Sequence, residues 1–150
     1  MSTEEVIEDT EVIEEDTPKR GFVTLGINTD KDNMRYCYTL ACSIKICDPN
    51  ASITMVVDKG QLSNVPSYYN HVFDYMVELP YGNSAHKDGF HGMNLWQVYH
   101  CTPYDETIYV DYDTLFLDVD LHDLWATMAN GGISVPVSYT HLTLPTMFEV

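Results

Sequence analysis

The residues best suited to chemistry are two aspartates one residue apart, Asp111 and Asp113. Positions 107–111 are mostly β-branched or aromatic residues and run into this pair, a pattern that predicts a buried strand. Carboxylates at positions i and i+2 of an extended chain lie on the same side, so both could point at one cation at the end of the strand. Mg²⁺ and Mn²⁺ suit such a pair, because they bind one or two protein carboxylates together with water and substrate phosphates.

Other interpretations of the acidic pair lead to different chemistry. Aspartate often ends strands as an ordinary solvated turn residue. A calcium loop between two helices is excluded, because its glycine and glutamate positions would hold Phe116 and His122. An aspartyl-phosphate phosphatase would carry Asp-x-Asp-x-Thr close to its first strand. Here Thr114 stands one place early and three predicted strands precede the pair, so this alternative is disfavoured but stays open.

The segments that must position the pair alternate between strand and helix patterns. Continuous apolar and β-branched runs predict strands at 21–28, at 52–57, within 71–79 and from 131 onwards. Apolar residues three and four positions apart predict helices across 37–44, at about 93–101 and at about 118–125. Asp30 or Asp32 would cap the first helix, and Asp48-Pro49 would end it. This order predicts an α/β fold with a mainly parallel sheet flanked by helices.

Aromatic residues near the pair are predicted to pack in the core. Their spacing assigns four of them to apolar faces: Trp96, Tyr109, Phe116 and Trp125. Tyr112, between the aspartates, is expected to point away from the metal and to pack as well.

Composition limits the classes of partner and the cellular compartment. The 150-residue chain has a formal net charge of −16, and eight of its 23 acidic residues lie within the first 17 positions. The remainder, with 15 acidic and 7 basic residues, lacks the basic patch that a nucleic-acid-binding surface needs. We expect no membrane span and no leader segment. The four cysteines include no Cys-x-x-Cys pair and are interpreted as small buried thiols in a reducing, cytoplasmic environment.

The same composition predicts three regions. Residues 1–20 are predicted to be a disordered acidic tail, and residues 21–135 a folded domain. Residues 137–146 match what the reverse complement of a widely used transposase sequencing adapter encodes. We therefore expect residues 136–150 to be adapter read-through and the authentic chain to be the N-terminal part of a longer protein.

Two motifs, taken with the order of elements, resemble the N-terminal half of family 8 glycosyltransferases of the GT-A fold, the family that includes glycogenin. Phe22-Val-Thr-Leu25, a polar turn and a helix ending near Ser43-Ile44 are similar to the family's nucleotide-binding opening. Residues 104–117, followed by Leu121-His-Asp-Leu-Trp125, are similar to its Asp-x-Asp strand and the turn after it. The resemblance covers about residues 21–125.

The resemblance implies transfer of a sugar from a nucleotide sugar, a UDP-sugar, to an unknown acceptor, with configuration retained. Asp111 and Asp113 would bind Mn²⁺ or Mg²⁺, and Asp111 would also reach the sugar or ribose. The residues expected to line the uridine pocket are Thr24, Leu25, Gly26, Ile27 and Asn28. The family's third metal ligand, a histidine, and most of its acceptor site belong to the C-terminal half.

The helix before the metal strand departs from the family pattern. Many members carry a lysine or arginine there, facing the phosphates, whereas this chain has Leu95, Trp96 and Gln97. Lys87 and His91, in the preceding loop, are the nearest candidates for phosphate contact. Two further functions stay open: a metal-dependent nucleotidyl- or phosphotransferase, and a non-catalytic nucleotide-sugar-binding module. As a fragment, the chain is expected to be inactive.

Overall fold

The computed structural model describes residues 17–27, 31–82 and 95–128. In chain order these residues form β1 (Arg20–Leu25), α1 (Asn33–Cys47), β2 (Ile53–Val57), β3 (Tyr75–Glu78), α2 (Leu95–Cys101), β4 (Glu106–Tyr109) and α3 (Leu121–Met128). Two short 3₁₀ turns, Leu62–Asn64 and Ser67–His71, connect β2 to β3. None of the helices in these ranges is long and apolar enough to cross a membrane.

The four described strands form one parallel sheet in the order β3-β2-β1-β4. Every residue of β2 and all but the first residue of β1 are buried. Burial on both faces explains why these central strands are continuous apolar runs rather than alternating patterns. The predicted α/β class and parallel sheet are therefore confirmed for the described residues.

The core lies on both faces of this sheet. Side chains of a strand alternate between faces, so Phe22 packs with α1 residues such as Leu40 while its neighbour Val23 packs with Val98 of α2. Helices α1 and α2 therefore cover opposite faces, and the carboxyl ends of the strands stay together at one end of the sheet.

Aspartates set the starts of two helices. The Asp32 carboxylate accepts a hydrogen bond from the Arg35 N–H at 3.2 Å, which confirms the cap predicted for α1. Asp120 does the same for α3, because its Oδ1 accepts from the N–H groups of His122 (2.8 Å) and Asp123 (3.2 Å). The prediction that this helix begins at residue 118 is wrong, because the cap fixes its start at Leu121.

Three predicted boundaries in the sheet differ from the structure. β1 ends at Leu25 rather than at residue 28, and β4 ends at Tyr109 rather than at Asp111. The acidic tail was predicted to run to residue 20, but Arg20 already belongs to β1. The Lys19 N–H also donates to Asp105 Oδ2 at 2.9 Å, so the ordered domain includes Lys19. Residues 1–16 of the tail, the strand expected from 131 and the adapter-like segment lie outside the described residues.

The prediction that Trp96 packs in the core is wrong. Trp96 is 55% exposed and stacks on Tyr81, with ring centroids 5.3 Å apart. Gln97 is buried in its place: its Oε1 accepts from the Tyr81 N–H and its Nε2 donates to the Gly82 carbonyl, both at 3.1 Å. A side-chain amide can satisfy a backbone donor and a backbone acceptor together, which an indole cannot.

The other three aromatic residues assigned to the core are half-buried and pack against it. Phe116 and Trp125 both contact Phe22, with ring centroids 5.8 and 5.4 Å away. Tyr109 packs against the cluster on the α2 face of the sheet.

Candidate metal centre

The two aspartates lie in a turn that begins where β4 ends. The Val110 N–H donates to the Val23 carbonyl at 2.9 Å, which extends the ladder between β1 and β4 by one residue. The Thr114 N–H then donates to the Asp111 carbonyl at 3.1 Å and closes a four-residue turn. Both aspartates are exposed. The expected extended geometry is therefore replaced by a turn, and the turn rather than strand alternation sets the relation of the two carboxylates.

Tyr109 holds one oxygen of this acidic pair. Its hydroxyl donates to Asp111 Oδ1 at 2.9 Å. Burial, reinforced by the charge of Asp111 and by this hydrogen bond, raises the pKa of the Tyr109 hydroxyl well above its ordinary value. The hydroxyl is therefore a hydrogen-bond donor throughout the physiological pH range. Sequence reasoning treated Tyr109 only as a packing residue, although its i, i+2 spacing from Asp111 was the available signal.

Helix α1 anchors the turn and the loop after it. Tyr112 stacks on Tyr36, with ring centroids 6.1 Å apart and planes 25° apart. Further along, the Phe116 N–H donates to Ser43 Oγ at 3.0 Å. Tyr112 therefore packs as predicted, and contacts from α1 hold the chain on both sides of Asp113.

The segment expected to line the uridine pocket, residues 24–28, begins with the last two residues of β1 and lies beside this turn. Thr24, Leu25, Gly26 and Ile27 are all buried, while Asn28 lies outside the described residues. The Thr24 hydroxyl contacts Cys37 Sγ at 3.6 Å, so this side chain is engaged inside the domain. Contacts between Thr24 and a nucleotide would therefore have to use its backbone.

Gly26 lets α1 approach this segment closely. A Cβ at this position would lie 3.2 Å from Cys37 Sγ and 3.3 Å from Met55 Sδ, which is tighter than ordinary contact. The Gly26 N–H donates to the Val56 carbonyl at 2.7 Å and joins the segment to β2. The path of the chain after β1 is thus set by the helix on one side and the neighbouring strand on the other.

Asn33, the first residue of α1, is a polar residue of this region that sequence reasoning missed. It is buried, and its Nδ2 donates to the Ile27 carbonyl at 2.6 Å. No donor among the described residues reaches its Oδ1. A buried acceptor without a partner costs about 1–3 kcal/mol. The feature of the sequence that could have indicated it was an amide side chain directly after Asp32, the residue that caps α1.

The donor set fits a hard divalent cation. Within residues 17–27, 31–82 and 95–128, no three His, Cys, Asp or Glu side chains come together as a metal-binding group. Asp111 and Asp113 are exposed carboxylates, the type of ligand that Mg²⁺ and Mn²⁺ combine with water or phosphate oxygens. His122 lies exposed on α3. Lys87 and His91 lie outside the described residues.

A cleft lies at the opposite end of the sheet. This open cleft of about 270 Å³ is bordered by Arg20 at the start of β1, by Ser52 before β2 and by Trp125 of α3. It shares no lining residue with the acidic turn. The carboxylates of the acidic turn, rather than the depth of a cleft, therefore identify the carboxyl end of the sheet as the candidate site.

Comparisons with protein-family models, with curated proteins and with solved structures found no match for this chain. The likeness to family 8 glycosyltransferases therefore rests on the residues quoted in the sequence. The function is accordingly proposed from those residues and from the geometry around Asp111.

Proposed function

We propose that the chain is the donor-binding part of a metal-dependent glycosyltransferase of the GT-A fold. It would use a nucleotide sugar, a UDP-sugar, and deliver the sugar to an acceptor that is still unknown. The observation that supports this most is the exposed Asp111–Asp113 turn at the carboxyl end of β4, directly beside the carboxyl end of β1. Ligands of open parallel sheets bind at this end, and the carboxylates suit Mn²⁺ or Mg²⁺.

Residues of both strands would share the binding of the donor. Asp111 and Asp113 would hold the cation, while Tyr109 keeps the Asp111 carboxylate in place. When bound, the cation would offset negative charge that develops on the leaving diphosphate. The segment from Thr24 to Ile27 would form the wall next to the nucleoside. Retention of configuration is implied by the family resemblance alone.

The test is a calorimetric titration of UDP into the full chain with Mn²⁺, with Mg²⁺ and with a chelator. We expect UDP to bind only when a divalent cation is present. Asp113→Asn should abolish this metal-dependent binding of UDP, because it removes one charged ligand. Asp123→Asn is the matched control: it removes the same charge from an exposed position on α3 and should leave metal-dependent binding unchanged.

Equal binding of UDP in chelator would contradict the metal-bridged model. The same titrations with a UDP-sugar and with a nucleoside triphosphate separate the proposal from its enzymatic alternative. A glycosyltransferase should prefer the UDP-sugar, whereas preference for the triphosphate would favour a nucleotidyl- or phosphotransferase.

A further inference from the structure

We propose that Tyr109 is a positioning residue that determines which divalent cation the acidic turn selects. By holding Asp111 Oδ1, it would leave Oδ2 as the metal-binding oxygen and make Asp111 a one-oxygen ligand. The consequence is a preference for Mn²⁺ and Mg²⁺ over Ca²⁺. This inference rests on the proposed function, since it takes the Asp111–Asp113 turn as the metal site.

The position of Tyr109 makes its hydroxyl a fixed point. Tyr109 is the last residue of β4, and its half-buried ring packs against the cluster that contains Val23 and Leu25. Its hydroxyl emerges beside the turn and donates to Asp111 Oδ1 at 2.9 Å. The exposed Asp111 side chain is therefore restrained by a group that the sheet itself holds in place.

The backbone of Asp111 is restrained independently. Its carbonyl accepts from the Thr114 N–H at 3.1 Å, and the adjacent Tyr112 ring stacks on Tyr36 of α1. The turn holds the backbone of Asp111, and the Tyr109 hydrogen bond occupies one lone pair of Oδ1, so the presentation of both oxygens to one ion is disfavoured.

The number of oxygens that a carboxylate presents discriminates between cations. Ca²⁺ takes six to eight oxygen ligands and readily uses both oxygens of one carboxylate, whereas Mg²⁺ requires a compact octahedron with single oxygens. An oxygen that already accepts a phenolic hydrogen bond is a weaker and less accessible ligand. Asp111 held in this way meets the octahedral requirement and gives Ca²⁺ one ligand fewer.

The test compares two variants that lose the same chemical group. Tyr109→Phe removes the hydroxyl that donates to Asp111 but keeps the ring that packs on the sheet. Tyr104→Phe is the matched control: the Tyr104 hydroxyl accepts a hydrogen bond of the same length, 2.9 Å, from Thr54 Oγ1, and Tyr104 precedes β4, away from the acidic turn. Mn²⁺ binding to the full chain is followed by the electron paramagnetic resonance signal of free Mn²⁺, and Ca²⁺ binding by its competition with Mn²⁺. Circular dichroism checks that both variants keep the fold.

For Tyr109→Phe we expect Mn²⁺ affinity to fall about tenfold, as is typical when a group that orients a metal ligand is removed. Ca²⁺ affinity should stay about the same, because the second Asp111 oxygen that Ca²⁺ gains offsets the lost orientation, so the preference for Mn²⁺ over Ca²⁺ should fall by a similar factor. Tyr104→Phe should keep the wild-type preference. If Tyr109 had only a structural role, the affinities for Mn²⁺ and Ca²⁺ would fall equally.

Two results would overturn the inference, and they differ in what they say about the proposed function. If the wild-type chain binds Mn²⁺ in a manner that depends on Asp113, but Tyr109→Phe keeps the same preference over Ca²⁺, only the role of Tyr109 is refuted. If the wild-type chain shows no Mn²⁺ binding that depends on Asp113, the role of Tyr109 and the metal site fail together.

Discussion

Ser43→Ala should separate the loop after the acidic turn from helix α1. The buried Ser43 hydroxyl donates to the Leu40 carbonyl at 2.6 Å, within the helix, and accepts from the Phe116 N–H at 3.0 Å. Only the second bond joins two distant parts of the chain. Removing the hydroxyl leaves the partly buried Phe116 N–H without this acceptor.

The expected loss of stability follows from two opposing terms. An unsatisfied buried N–H costs about 1–3 kcal/mol, whereas alanine in place of serine in a helix interior gains about 0.5 kcal/mol. The net change in the free energy of unfolding for Ser43→Ala is a loss of about 1.5 kcal/mol. At about 4 °C per kcal/mol, the Tm should fall by about 6 °C.

Urea unfolding and a thermal scan measure this change, with Thr39→Ala as the control. The Thr39 hydroxyl is exposed on the same helix and donates to the Arg35 carbonyl at 3.0 Å, so it joins no separate segments. Its removal should change stability by no more than about 0.5 kcal/mol. If Ser43→Ala were as stable as Thr39→Ala, the docking of this loop through Ser43 would be refuted.

Three further predictions concern the packing around β1. In Gly21→Ala the new Cβ would lie 2.2 Å from ring atoms of Tyr104, a ring that Thr54 holds by a hydrogen bond. Urea unfolding should therefore show that the free energy of unfolding falls by about 2–3 kcal/mol. A variant as stable as the wild type would contradict this packing. Burial raises the pKa of the Cys37 thiol to about 12. In the native chain, mass spectrometry should therefore show that Cys37 reacts with iodoacetamide far more slowly than the half-exposed Cys42 and Cys47. In urea the three thiols should react equally fast. Because the folded-state pKa lies above the unfolded value of about 9, this thiol's contribution to stability is complete below pH 9 and is lost as the pH rises toward 12. Cys37→Ala should therefore lose less stability than the wild type over that range.

Features that depend on neighbouring residues could be predicted from the sequence. The cap at Asp32 and the end of α1 before Pro49 involve groups within one helical turn, so their residue types suffice. The continuous apolar runs of β1 and β2 likewise indicated strands that are buried on both faces. The alternation of strands and helices then favoured parallel pairing, because a strand that returns in parallel needs a crossover.

Features that depend on partners distant in the sequence could not be predicted in this way. Hydrophobicity favours Trp96 for burial, yet Gln97 is buried because the backbone of Tyr81 and Gly82 requires a donor and an acceptor there. The loop after the acidic pair docks through Phe116 onto Ser43, 73 residues earlier in the chain. Apolar periodicity carries no information about such polar partners.

The candidate site shows the same division. Residue types and spacing by themselves determined that two carboxylates stand at the end of the strand predicted at 107–111, and hence that hard-cation chemistry was to be expected there. Only the tertiary structure decided that β4 stops at Tyr109, that Asp111 begins a turn and that a tyrosine holds one of its oxygens. The physical reason is that residue type sets which groups can bind a cation, whereas the hydrogen bonds and packing of the folded chain set where those groups point.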